Sequence, residues 1–256
     1  MGYRYWIAYW TITRREVLRF SRIWVQTIVP PIVMVALYFV IFGNLIGQKI
    51  GEMDGMNYID FIMPGLVMMS IITNSYSNVV SSFYGSKYSR HIEEMQIAPI
   101  PNVIILLGYI TGGVVRGLSV GIAVTFVSMV FTEFSVHSPM VILIIALLTS
   151  ILFSLAGLIN GVFANSFDHV SIVPTFVLTP LTYLGGIFYS IKMLPEIWQQ
   201  ISLANPILYM VNSFRYGFRG VSDIDLNVAI LVILGFIALL FTVSLILLDK
   251  GTGVRQ

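Results

Sequence analysis

The sequence contains no cysteine and only three histidines, and Asp, Glu, Lys and Arg together make up 10% of its 256 residues. Without cysteine there are no disulfides, no thiolate nucleophile and no thiolate metal site. His91, His137 and His169 are scattered over different loops, which argues against a metal site. No G-x-x-x-x-G-K-[ST] or H-E-x-x-H motif occurs, so the chain has neither a P-loop for nucleotide phosphates nor a zincin helix. No nucleophile, base and orienting acid can be grouped on one side of a membrane, so no enzyme, bound cofactor or nucleic-acid partner is expected. The first twenty residues carry four arginines and no apolar core, which is not the pattern of a cleavable signal peptide.

The chain is 57% hydrophobic, with a mean hydropathy of +0.89. Soluble domains carry about 25% charged residues. Several apolar runs here exceed the roughly 18–20 residues that cross a bilayer. The expected fold is an all-α polytopic membrane protein, a single domain over 1–256, because no other stretch is long enough to fold alone.

Segment 1–22 reads as an amphipathic helix. Tyr3, Trp6, Ile7, Trp10, Val17 and Leu18 form one stripe, and Arg4, Arg15, Arg19 and Arg22 mark the other. That suits a membrane surface. Six spans are expected over 23–46, 58–83, 102–131, 139–163, 171–188 and 226–248. The fifth is short and carries Pro174, Pro180, Gly185 and Gly186, so a kink or break is expected there. With six crossings, nine Lys/Arg fall on the side of the termini (Lys250 and Arg255 among them) and four on the other. The positive-inside rule then puts both termini in the cytoplasm. Segment 189–225 is too apolar for a plain loop and reads as a re-entrant or interfacial helical hairpin before the last span.

Polar groups within the spans are few. Arg116 lies near the middle of the third, as either a pathway residue or a structural partner. Asn74, Ser77, Asn78, Ser81 and Ser82 share one broad face of the second, which either bonds neighbouring helices or lines a solvated path. Asp60 and Asp168 sit near span ends and are expected to be merely interfacial. No acidic or histidine side chain lies at mid-depth, which weakens a proton-coupled carrier.

The most polar run of the first half is 84–101, YGSKYSRHIEEMQIAPIP, placed on the cytoplasmic side between spans two and three. With GGIFYSIKMLPEIWQQISLANPILYMVNSFRYGFRG at 185–220, it carries a resemblance to the permease subunits of ABC-2 type ATP-binding-cassette exporters. In the first segment Arg90, Glu93, Glu94, Met95, Ile97 and Pro99 match the family's basic, acidic, apolar and Pro pattern. Ala98 replaces its usual Thr or Ser. In the second, Gly186, Phe188, Leu194, Pro195, Trp198, Asn205, Pro206, Tyr209 and Arg215 match.

The resemblance implies that 84–101 is a coupling helix seated on a cytoplasmic ABC ATPase. It further implies two copies of this chain with two such ATPases, ATP–Mg bound in the ATPase, export, and a bacterial inner membrane. The pathway or gate candidates are Asn74, Asn78, Arg116, Tyr183, Gly185, Gly186, Phe188 and Tyr189. The glycines would let the pathway open or simply allow close packing, and the aromatics would form an apolar gate or an interfacial belt. The rival readings are an ATP-independent channel or secondary transporter, and a scaffold that recruits a cytoplasmic partner.

Overall fold

A computed structural model describes residues 2–53 and 55–251; Arg255, counted above in the charge balance, lies outside them. The fold is helical apart from one two-residue hairpin, Glu52–Met53 against Met56–Asn57. Helix α1 (Gly2–Arg22) leads through a single turn residue into α2 (Trp24–Tyr38), which continues as π-helix over Phe39–Ile46 and ends in the short α3 (Gly47–Ile50). Then come α4 (Tyr58–Tyr88), α5 (His91–Ile97), α6 (Asn102–Ser128) and α7 (Pro139–Phe163).

Helix α4 is the axis of the bundle. Side chains on nearly all its faces are buried, from Phe61 and Ile62 through Ile72 and Tyr76 to Phe83, so it reads as a helix apolar or small all round rather than as a one-faced amphipath. Helices α6 and α7 flank it, α1 lies on α6, and α12 (Leu226–Lys250) lies on α7. One core cluster gathers Phe61, Met68, Tyr76, Phe153, Met210 and Phe214. A second, towards α5, gathers Phe83, Ile92, Tyr109, Leu158 and Leu248.

Among the described residues five helices are long and apolar enough to cross a membrane: Trp24–Gly43, Tyr58–Tyr88, Asn102–Ser128, Pro139–Phe163 and Leu226–Lys250. They match five of the six expected spans. The other, expected over 171–188, is made of three short pieces: α8 (Phe167–Val173), a π-helical Pro174–Leu178, and α9 (Thr179–Tyr183). Proline has no N–H to give to the helix ladder, and the π turn takes up the misfit at Pro174. The Val170 carbonyl, one turn before Pro174, accepts from the Asn160 side chain at 3.2 Å instead, and the Thr179 hydroxyl donates to the Pro174 carbonyl at 2.9 Å.

After a 3-10 turn (Ile191–Met193), α10 (Glu196–Leu203) and α11 (Pro206–Arg219) form the helix pair read from the sequence. Pro206 stands at the first turn of α11, where its missing N–H costs nothing, and the Asn205 side chain caps Ile207 N at 3.0 Å. Helix α11 is buried against α4, α7 and α12, whereas Ile197, Trp198 and Ile201 of α10 point outward.

Candidate functional site

Segment 84–101, expected from the sequence to be the coupling element, is built by a sharp reversal. Helix α4 ends at Tyr88, and Arg90 takes a left-handed backbone, φ 61°, the only non-glycine residue with positive φ among those described. Its carbonyl then accepts the amides of Glu93 and Glu94 at 3.1 and 3.4 Å, starting α5. Helix α5 is one-sided. Ile92 is fully buried and Met95 packs beside it on the second core cluster. Arg90, His91, Glu94 and Pro99 are exposed, Glu93 is half-buried, and Ile97 is 85% exposed. Of the two apolar residues singled out in the sequence, Met95 holds α5 to the bundle and Ile97 stands exposed.

Three contacts tie this segment to the spans, and the sequence reading missed two of their donors. Lys87, counted above only as a loop charge, is buried and donates to the carbonyls of Val162 and Ala164, 2.8 Å each, at the end of α7. A cation at a helix C-terminus meets the last free carbonyls and the negative end of the dipole. Gln96 donates to the Leu248 carbonyl of α12 at 3.1 Å, and Asn102 to Asp249 at 2.7 Å. Gln96 thus ties α5 itself to α12, while Lys87 fastens the end of α4 to α7 and Asn102 the start of α6 to α12.

The polar face of α4 meets arginines. Arg116 donates to Asn74 Oδ1 at 3.3 Å, so two pathway candidates are adjacent. Arg19 of α1 donates to both the side-chain and backbone oxygens of Asn78, 2.8 Å each. Arg15 donates to Ser86 at 3.1 Å and to the Tyr109 hydroxyl at 2.8 Å. Between these two arginines lies Glu16, with no exposed surface, 3.3 Å from Arg15 and 3.5 Å from Arg19. Thus the aromatic stripe of α1 is exposed as expected, with Tyr3, Trp6 and Trp10 outward. Its buried stripe, however, is Ile12, Thr13, Glu16 and Phe20, with Arg15 and Arg19 reaching over the edges. A lone acid among the arginines of α1 was the available signal for Glu16.

At the far end from α5, the remaining candidates divide. Tyr183 and Phe188 stack at 5.8 Å, and Phe188 also meets Phe42 at 4.9 Å and Tyr38 at 5.8 Å, joining α2's π segment to the end of α9. Tyr189 is half-buried beside this cluster in sequence and makes none of its ring contacts. Gly186 has φ 72°, a turn that favours glycine, and a Cβ on Gly185 would come within 2.6 Å of Ile207. Both glycines thus serve close packing and a turn. The Gly186 carbonyl accepts from Arg215 at 2.7 Å, and that guanidinium lies 3.8 Å from the Phe61 ring centroid.

Asp60, expected to be merely interfacial, is instead buried in an ion pair with Arg219 at 2.7 Å. Its carboxylate also accepts the Glu133 amide at 3.1 Å, and Arg219 donates to the Glu133 carbonyl at 2.6 Å. Asp168 is exposed at the start of α8. The far end is therefore fastened by the Asp60–Arg219 ion pair, while Lys87 fastens the α5 end by charge on carbonyls.

A bundle of apolar helices long enough to cross a membrane, with a short one-sided helix outside it, is the architecture of a multi-pass membrane protein. The profile of the ABC-2 type transporter family matches residues 7–218, and the chain belongs to that family. It is 54% identical, over the whole of both chains, to the inner membrane transport permease YadH of Escherichia coli (strain K12). It is 23% identical to nodulation protein J of Rhizobium leguminosarum bv. viciae over 248 residues, 96% of this chain and 94% of that one. The chain is thus a multi-pass membrane protein and a transporter permease.

Proposed function

We propose that the chain is half of the membrane part of an ATP-driven exporter in a bacterial inner membrane. Two copies and two cytoplasmic ABC ATPases form the machine, and ATP–Mg is bound and hydrolysed in the ATPases. The observation that carries this reading is α5. It presents Arg90, Glu94 and Ile97 outward while Ile92, Met95 and Gln96 bind it to the bundle. A docking helix needs both properties: an exposed contact surface, and a rigid connection that passes motion on.

In this reading the chain crosses six times, the fifth crossing being the π-interrupted segment expected over 171–188. Both termini and α5 are cytoplasmic, and α10–α11 form a re-entrant hairpin at the outer leaflet. Two-fold pairing of copies is the commonest oligomer design. The largely unburied α2, with Trp24, Val29, Val33 and Met34 outward, offers a surface for lipid or for the second copy. ATP binding drives the ATPases together and pushes on α5, and the helices tied to it move as rigid bodies between two packed arrangements.

The test is co-purification from native membranes in mild detergent, comparing the tagged chain with a Glu93→Arg/Glu94→Arg variant. A Walker-motif ATPase with ATP turnover should accompany the unmodified chain and be lost from the folded variant. If no ATPase accompanies either form, the ATP-driven reading fails and an ATP-independent channel or carrier takes its place.

A further inference from the structure

Helix α4 is buried almost everywhere, yet one row of it is not. Thr73, Ser77, Ser81, Gly85 and Ser89 follow one another at intervals of four residues, and each is exposed or half-buried. At 1.5 Å per residue the row runs for about 24 Å, most of a bilayer's apolar thickness. A row of hydroxyls facing lipid has nothing to bond except its own helix, as Ser81 does with the Ser77 carbonyl at 2.7 Å.

Two grooves lie along this row between α1–α2 and α4. The first, about 600 Å³, is near α5 and is edged by Arg15, Arg19, Arg22, Ser81, Ser86 and Ser89. The second, about 290 Å³, lies further along the row and contains Gln26, Thr27, Thr73, Asn74 and Arg116. Its far wall is apolar, with Pro30, Met34, Val35 and Met69.

Charge in this lane does not balance. Four arginines, 15, 19, 22 and 116, line it, and Glu16 is the one carboxylate. Glu16 is already shared by Arg15 and Arg19. Arg22 makes no hydrogen bond among the described residues. Arg116 has Asn74 as its hydrogen-bond partner, its buried Nε has none, and the like charge of Arg19 is nearby. Arg116 is the fifteenth residue of the 27-residue α6, so it stands near mid-span. A guanidinium so placed costs several kcal/mol unless it is paired, and an oxyanion is its best partner.

We propose that this lane takes the oxyanion head of a phosphate-type amphiphile, received by Arg22 and its neighbours at the α5 end and passed along the hydroxyl row to Arg116. The apolar wall of the second groove receives the attached hydrocarbon. This rests on the permease reading and adds the class of cargo to it.

The test uses the full chain in phosphatidylcholine nanodiscs, with binding of a fluorescent dodecyl phosphate as the readout. Expected is saturable binding that dodecyl phosphate displaces, that inorganic phosphate displaces poorly, and that dodecyl maltoside does not displace. Arg22→Gln and Arg116→Gln each weaken binding by about tenfold, the scale of one charge-assisted contact. Arg14→Gln, exposed and outside the lane, leaves it unchanged, and Arg116→Lys keeps part of it. Unaltered elution and melting of each variant separate a binding defect from misfolding.

Equal affinity across all variants overturns the proposal, as does displacement by inorganic phosphate as effective as by dodecyl phosphate. Binding that vanishes in phosphatidylglycerol nanodiscs also overturns it, because the lane would then belong to a bilayer lipid and not to cargo. The ATPase co-purification stands apart from all of these: an ATPase recruited without anion binding refutes the cargo class alone, and anion binding without an ATPase refutes the ATP-driven reading.

Discussion

Lys87→Met is the perturbation that tests how the end of α4, just before α5, is fastened to α7. Methionine keeps most of the apolar stem and removes the ammonium, leaving the Val162 and Ala164 carbonyls without its two 2.8 Å bonds. Hydrogen bonds to a charged group contribute about 1.5–3 kcal/mol each, and the helix-end charge adds a few tenths more. Against that stands the desolvation of a buried ammonium, which the substitution relieves. The net loss should be about 2–3 kcal/mol, because the two carbonyls become buried acceptors with no donor.

For a chain of this size that corresponds to roughly 5–10 °C in melting temperature. The assay is the fraction of monodisperse chain after heating in detergent, which reports a rate-dependent midpoint and so requires matched heating schedules. Lys87→Gln, which retains a neutral donor, should fall between the two. The reasoning is refuted if Lys87→Met melts within about 1 °C of the unmodified chain. It is equally refuted if the variant melts early while ATP turnover of the assembled complex still responds to the permease as before, since a loosened α4–α7 joint should weaken that response.

Other outcomes follow from the same geometry. Arg90→Gly should leave melting unchanged or raise it by a degree or two, because glycine removes the strain of a left-handed residue, about 1 kcal/mol. The same variant should bind the ATPase less well, which co-purification reads directly. Asp60→Asn leaves the half-buried Arg219 without its countercharge and should cost about 2–3 kcal/mol; a double-mutant cycle with Arg219→Met should give much less than the sum. Gly157→Ala places a methyl within 2.5 Å of the Tyr76 carbonyl and must push α4 from α7, a loss of about 1–3 kcal/mol visible in the same melting assay.

The sequence by itself determined that this is a helical membrane protein, where five of its spans run, and where the chain leaves the membrane between the second and third. Each of these is a local property: an apolar run of bilayer length, or a polar run closed by Pro99 and Pro101, is legible without knowing any neighbour. It also determined the α10–α11 helix pair, because Asn205 and Pro206 write the start of α11 in two residues. The family motifs were legible for the same reason, being contiguous.

What only the tertiary structure decided is which polar groups meet. Glu16 could be read as one more solvated residue of α1 until α6 and the two arginines closed over it. Asp60 and Arg219 are far apart in sequence, and nothing in either segment names the other. Lys87 counted as a topology charge until the end of α7 supplied its acceptors. On α4's polar face Asn74 and Asn78 bond arginines and Ser82 is buried, while Ser77 and Ser81 keep exposed surface. Helical periodicity puts residues on a face, but a neighbour's position decides whether that face is filled, and contacts across tens of residues leave no local trace.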